Sequence, residues 1–129
     1  MKRNRLKSQK EKDQVVSMDK KLKVEILKNK DDLIEGTFCY FLFEEGLFDE
    51  TLLINLINSS STFLKKNAND EEVIGLLVWV VSGVEQCFLS NNDKHDLYVI
   101  KNYNIDMEKK WHDDWKPKII KLTGHNLKP

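Results

Sequence analysis

The chain has 129 residues, 40% of them hydrophobic and 33% charged, and its 21 basic side chains cancel its 21 acidic ones. That length suits one domain and excludes a multidomain enzyme, yet it is long enough to bury about two-thirds of its unfolded surface. The zero net charge hides a segregation: residues 1–30 carry eleven basic and four acidic side chains (net +7), residues 31–108 four and fifteen (net −11), and residues 109–129 six and two (net +4).

Residues 1–17 hold many lysines and few apolar side chains (Leu6, Val15, Val16). They cannot bury enough surface to offset the entropy of ordering, so a frayed basic tail or a solvated helix is expected. Met18 offers an alternative start. The stretch 21–28 reads two ways. Leu22, Val24 and Ile26 alternate as in a strand, while Leu22, Ile26 and Leu27 form a helical stripe. Asp31 or Asp32 is placed to cap a helix running to Glu45, with Ile34, Phe38, Phe41 and Leu42 on one face and Gly46 as its stop. Asp49 is the next cap. Leu52, Leu53, Leu56, Ile57, Phe63 and Leu64 give the second helix its apolar side, and Ser59-Ser60-Ser61 predicts a weakening or bend.

After a loop at 67–70, Asn69 or Asp70 caps a third element over about 71–89, with Glu71 and Glu72 favourable near the positive end of its dipole. This element is apolar nearly all round, as befits the buried centre of a domain. Its β-branched content also permits a strand, but its length favours a helix. Asp93 and Asp96 are expected to open a fourth helix carrying Leu97, Ile100 and Tyr103. Asn104 opens a last segment, in which Trp111 and Trp115 lie one turn apart, Pro117 kinks or divides the helix, and Gly124 closes it. The expectation is an all-α, compact single-domain bundle of about five helices over residues 18–129 with a central apolar helix. Phe38, Phe41, Leu42, Val78, Trp79 and Trp111 are assigned to its core.

Cys39 and Cys87 sit in apolar runs and read as buried, reduced thiols, with a disulfide the lesser alternative. The basic start lacks the apolar stretch of a signal peptide, and the most apolar run, Val73 to Val84, is shorter than the roughly 20 residues a bilayer span needs. A cytoplasmic protein is expected. No catalytic constellation stands out. His95, His112 and His125 lie in polar settings without metal-ligand spacing. Trp111-His112-Asp113-Asp114-Trp115 reads as two inward tryptophans and three solvated polar residues, although a His112–Asp114 acid/base pair is the chemical alternative. Glycine-rich phosphate cradles and nucleophile elbows are missing. Neither a cofactor, a metal nor catalysis is expected.

The acidic middle is open to two readings. Its carboxylates keep the domain soluble, or they form a docking face for a basic protein such as a nuclease. The run Glu35-Gly36-Thr37-Phe38, Tyr40-Phe41-Leu42-Phe43-Glu44-Glu45, Phe48-Asp49 resembles the opening of a mostly helical immunity-protein family of bacterial polymorphic-toxin and contact-dependent growth inhibition systems, immunity protein family forty-one. The resemblance covers about residues 23–103, with Asp96-Leu97-Tyr98 beginning a later helix, and leaves out the basic tail and the Trp111–Trp115 segment. It implies a helical fold and a non-catalytic role, in which the protein binds and blocks a cognate toxin domain in the producing cell. The expected partner is then a basic nuclease toxin, met by Glu44, Glu45, Asp49, Glu50, Asp70, Glu71, Glu72, Asp93 and Asp96. The alternative is a small regulator binding nucleic acid through the basic tail, and deleting residues 1–17 separates the two. The regulator loses its binding, whereas the immunity protein keeps its protection.

Overall fold

The computed structural model describes residues 18–31 and 33–124, and among these no strand is formed. The expectations placed on residues 1–17, Asp32 and His125 lie outside the described residues. The 21–28 ambiguity resolves to helix. Residues 18–27 are helical (α1), with Ile26 buried, Leu22 and Leu27 packed on the core and Val24 turned out. A short 3-10 turn, Lys28–Lys30, follows. There the buried Asn29 joins α1 to the next helix: its Nδ2 donates to the Ile26 carbonyl and its Oδ1 accepts from the Cys39 N–H.

Helix α2 (Phe38–Glu45) starts later than the Asp31 or Asp32 cap would have it. Asp31 instead accepts from the Leu33 N–H in a local turn, and Gly36 takes a left-handed φ of 88°. Thr37 then caps α2 by accepting from the Tyr40 N–H. A side chain that can hydrogen-bond its own neighbouring backbone favours turns over helix, and at Asp31 the turn wins. Gly46 ends α2 in the left-handed region, as expected, and Asp49 caps α3 (Glu50–Lys66) through the Leu52 N–H. The three serines do not interrupt α3, and Ser60 is fully buried within it.

Asp70 caps α4 (Glu71–Asn91) by accepting from the Val73 N–H. Val73, Leu76, Leu77, Val80, Val84, Cys87 and Phe88 are its buried residues, one stripe at helical spacing. α2 and the last helix, α6 (Lys116–Thr123), pack on α4. The placing of Val78 and Trp79 in the core is therefore corrected. They are 46% and 40% exposed, because they lie on the opposite side of the helix from the stripe. Trp79 is half covered by an edge-on contact with Phe43, whose ring sits over Gly83. Phe38, Leu42 and Trp111 are buried as expected, and Phe41 is half-buried. By length and composition α4 could cross a membrane, but in this fold its stripe is committed to the core.

The expected fourth helix at 93 does not form. Residues 92–104 are a non-helical connection, and α5 (Ile105–Lys110) begins only after Asn104, which caps it through the Met107 N–H. Trp111–Trp115 is a π-helical turn that leads without a break into α6 (Lys116–Thr123). Proline explains the π turn. Pro117 has no N–H to give to the carbonyl four residues back, and its ring crowds that carbonyl. The backbone widens just before it, and the Lys116 N–H reaches the Trp111 carbonyl five residues back. Pro117 thus divides the segment by register rather than by a stop.

Phe48, in the α2–α3 corner, is the hub of the core. Its ring meets Phe38 edge-on at 5.3 Å and stacks on Trp115 at 5.7 Å, with Phe88 tilted at 5.8 Å. Neither cysteine is in a disulfide and both are buried. Burial pushes the Cys87 thiol above its ordinary range.

Candidate functional site: an acid-rimmed loop at one end of the bundle

The 92–104 connection is irregular but heavily tied down. Asp93 accepts from the His95 N–H and Asp96 from the Tyr98 N–H, which folds the segment into two consecutive turns. Asn91 accepts from the Ile100 N–H, and Ile100 is buried. Lys101 donates its N–H to the Gly46 carbonyl at 2.7 Å. The Tyr98 hydroxyl donates to the Leu42 carbonyl, and burial holds that phenol well above its usual range. Asn102 exchanges two hydrogen bonds with the backbone of Phe48.

These bonds lay the loop across the α2–α3 corner. They bring Glu44, Glu45, Asp49 and Glu50 to the same end of the molecule as Asp93 and Asp96. Lys94 and Lys101 are the lysines of that loop, so carboxylates dominate this end. Asp70, Glu71 and Glu72 are not part of it. They sit at the N-terminus of α4, and a helix of that length holds its ends about 30 Å apart. Two of the three are engaged there by α1: Lys23 Nζ lies 2.9 Å from both Asp70 and Glu72. Burial alone would raise the Asp70 carboxyl, but the hydrogen bonds from Lys23 and the Val73 N–H outweigh it and hold it below its usual range.

Within the acidic end the carboxylates divide again. Glu45 accepts from the Tyr40 hydroxyl, and that bond raises the Tyr40 phenol; Asp49, Asp93 and Asp96 each hold a backbone N–H. Glu44 and Glu50 are exposed and have no ion pair among the described residues.

Sequence reasoning missed the apolar element of this end. Leu97, expected on the fourth helix with Ile100 and Tyr103, is 98% exposed between Asp96 and Tyr98, and Val99 is 58% exposed. The available signal was the run Asn91-Asn92-Asp93 followed by Asp96, a density of Asx residues that marks turns better than a helix start.

The His112–Asp114 pair is not assembled. His112 Nε2 faces Glu108 at 3.7 Å, and Asp114 pairs with Lys118 at 2.9 Å. Among the described residues no group of His, Cys, Asp and Glu is placed to hold a metal ion. What the acidic end can do is bind. Leu97 is a fully exposed leucine on a hydrogen-bonded loop, next to Asp96 and at the end of the molecule that carries the other carboxylates, an arrangement of the kind found where an apolar anchor has a charged rim. No protein-family model, curated protein or solved structure matches the chain.

Proposed function

We propose that this protein is a non-catalytic, cytoplasmic immunity protein that neutralises a basic toxin domain, such as a nuclease, by direct contact through its acidic end. The observation that carries the reading is Leu97, 98% exposed on a loop that is hydrogen-bonded to α2, α4 and the α2–α3 corner. Leaving a large apolar side chain in water on an already ordered loop gains the fold nothing, but it lowers the ordering cost of association. The surrounding carboxylates speed encounter with a cationic partner and disfavour nucleic acid. The resemblance of residues 35–49 to immunity proteins supports the same reading.

The test begins with the gene immediately upstream: a C-terminal toxin domain found there is co-expressed with this chain and scored by cell survival, and a stand-alone metabolic operon there overturns the proposal. Survival is expected with the unaltered chain and should be lost with D93K/D96K/L97E. Failure of the unaltered chain to protect, or full protection by the triple variant, overturns the proposal.

A further inference from the structure

A second surface, sharing no residue with the acidic end, lies between α3 and the π turn with α6. It is a groove of about 670 Å³. Four lysines line it, Lys65 from α3 and Lys110, Lys118 and Lys121 from the other wall. The one carboxylate in the lining, Asp114, is taken by Lys118 at 2.9 Å. Lys110 lies over the Trp115 ring at 5.2 Å, and Lys65, Lys110 and Lys121 have no ion pair among the described residues. The floor is aliphatic and aromatic: Ile54, Ile57, Leu64, Leu122 and Trp115.

Each part has a partial local explanation, and these do not account for the whole. Lys65 and Lys121 sit in last helical turns, where the dipole favours a cation. That explains each singly, but not why three lysines without ion pairs among the described residues line one apolar trough. Ile54, 41% exposed, remains open to water there. The π turn forms part of one wall, and π turns recur at functional sites. The size falls within the range of small-molecule pockets. An apolar floor lined by three lysines without carboxylate partners among the described residues matches a ligand with the opposite arrangement of charge and the same arrangement of apolar surface.

We infer that the α3–α6 groove binds a small amphipathic anion, an aliphatic body carrying a carboxylate or phosphate head. The body lies on Ile54, Ile57, Leu64 and Leu122, and Lys65, Lys110 and Lys121 meet the head. Decanoate and decyl phosphate, each kept below its micellar concentration, are the probes for the two possible heads. Inorganic phosphate and decanol are the head-only and body-only controls. Titration calorimetry on the full chain gives affinity, and the indole N–H resonances of Trp115 and Trp79 report the place.

One-to-one binding of at least one probe is expected, with the Trp115 resonance moving and that of Trp79 still. K110A/K121A and, separately, I54D should each weaken it by about tenfold or more, as should removal of the head or the body. All the substituted residues are exposed, so the fold stands, and circular dichroism checks it. The proposal is overturned by absence of saturable binding, by affinity unchanged in either variant, by inorganic phosphate binding as tightly as decyl phosphate, or by movement of Trp79 instead of Trp115. Binding to anionic phospholipid vesicles without binding of either monomeric probe also overturns it, and would assign the lysines to a membrane surface.

Discussion

The side-chain amide of Asn102 satisfies both backbone groups of Phe48: its Oδ1 accepts the Phe48 N–H and its Nδ2 donates to the Phe48 carbonyl, each at 2.9 Å. The two residues are 54 positions apart. Phe48 is the hub of the aromatic core and Asn102 belongs to the candidate binding loop, so one amide couples the position of the loop to the packing of the core.

Asn102→Ala is expected to lose about 1–3 kcal/mol of stability, since two backbone groups of the corner lose their partner at once. Urea denaturation measures the loss. Asn102→Asp is informative beside it. It keeps the acceptor for the Phe48 N–H but sets a carboxylate oxygen against the Phe48 carbonyl in place of the donor, so it should be less stable than the parent. Equal midpoints for all three would show that the bonds are replaced by water without cost.

Leu97 and Tyr98 are neighbours with opposite roles. Leu97→Glu should change stability by no more than about 0.5 kcal/mol, because the side chain is already in water. It should nonetheless weaken partner binding. Tyr98→Phe should do the reverse at first order, costing about 0.5–1.5 kcal/mol for the lost bond to the Leu42 carbonyl. Denaturation curves and binding titrations on the same two variants separate docking from folding.

Gly36 and Gly46 test strain against space. Both have left-handed φ, 88° and 66°. A Cβ on Gly36 meets nothing within 4 Å, whereas one on Gly46 lies 2.5 Å from the Val99 carbonyl oxygen, a backbone atom held by the loop. Gly36→Ala should cost about 1–2 kcal/mol from conformation alone. Gly46→Ala should cost at least about 1 kcal/mol more and displace the loop, so partner binding falls with it. Paired thermal melts with an affinity measurement check this.

Asp70 gives the stability an acid-dependent part. Its carboxyl is held below its usual value in the fold, so its contribution is fully present above the ordinary carboxylate range. It is lost as pH falls from that range through the lowered value. Asp70→Asn should keep the helix cap but flatten this acid limb, and Asp70→Ala should also lose the cap, about 1 kcal/mol. Stability measured from neutral pH downwards, with Lys23→Met as the partner deletion, resolves charge from cap.

How far the sequence could be read follows from how local each cause is. Asp49, Asp70, Asn104 and Gly46 act on the backbone within three or four positions, and each was legible as a cap or a stop. Asp31, Asp93 and Asp96 use the same chemistry to make turns instead; around Asp93 and Asp96 the density of Asx residues is the local sign of it, whereas nothing within a few residues of Asp31 distinguishes the two outcomes. Val78 and Trp79 could not be placed because an all-apolar helix does not announce which third of its circumference its neighbours will cover. The charge count singled out the acidic residues, but their division between two ends of α4 depends on the loop returning to Phe48. The lysine groove joins Lys65 to residues 110–121, and only the packing of α6 on α3 brings them together.

Ser60 tests whether a buried defect limits stability. It lies in the middle of α3 with no exposure, and its hydroxyl oxygen has no hydrogen-bond partner among the described residues. A buried hydroxyl without a partner carries its desolvation cost uncompensated, about 1–3 kcal/mol, while the void left by one oxygen is small. Alanine also has the higher helix propensity. Ser60→Ala should therefore raise stability, by about 1 kcal/mol, where most core substitutions lower it. Ser61→Ala, one position on and half-buried, is the control, with only the propensity gain of a few tenths of a kcal/mol expected. If Ser60→Ala proves destabilising by urea denaturation, the hydroxyl has a partner in solution, and an internal water beside α3 becomes the explanation to pursue.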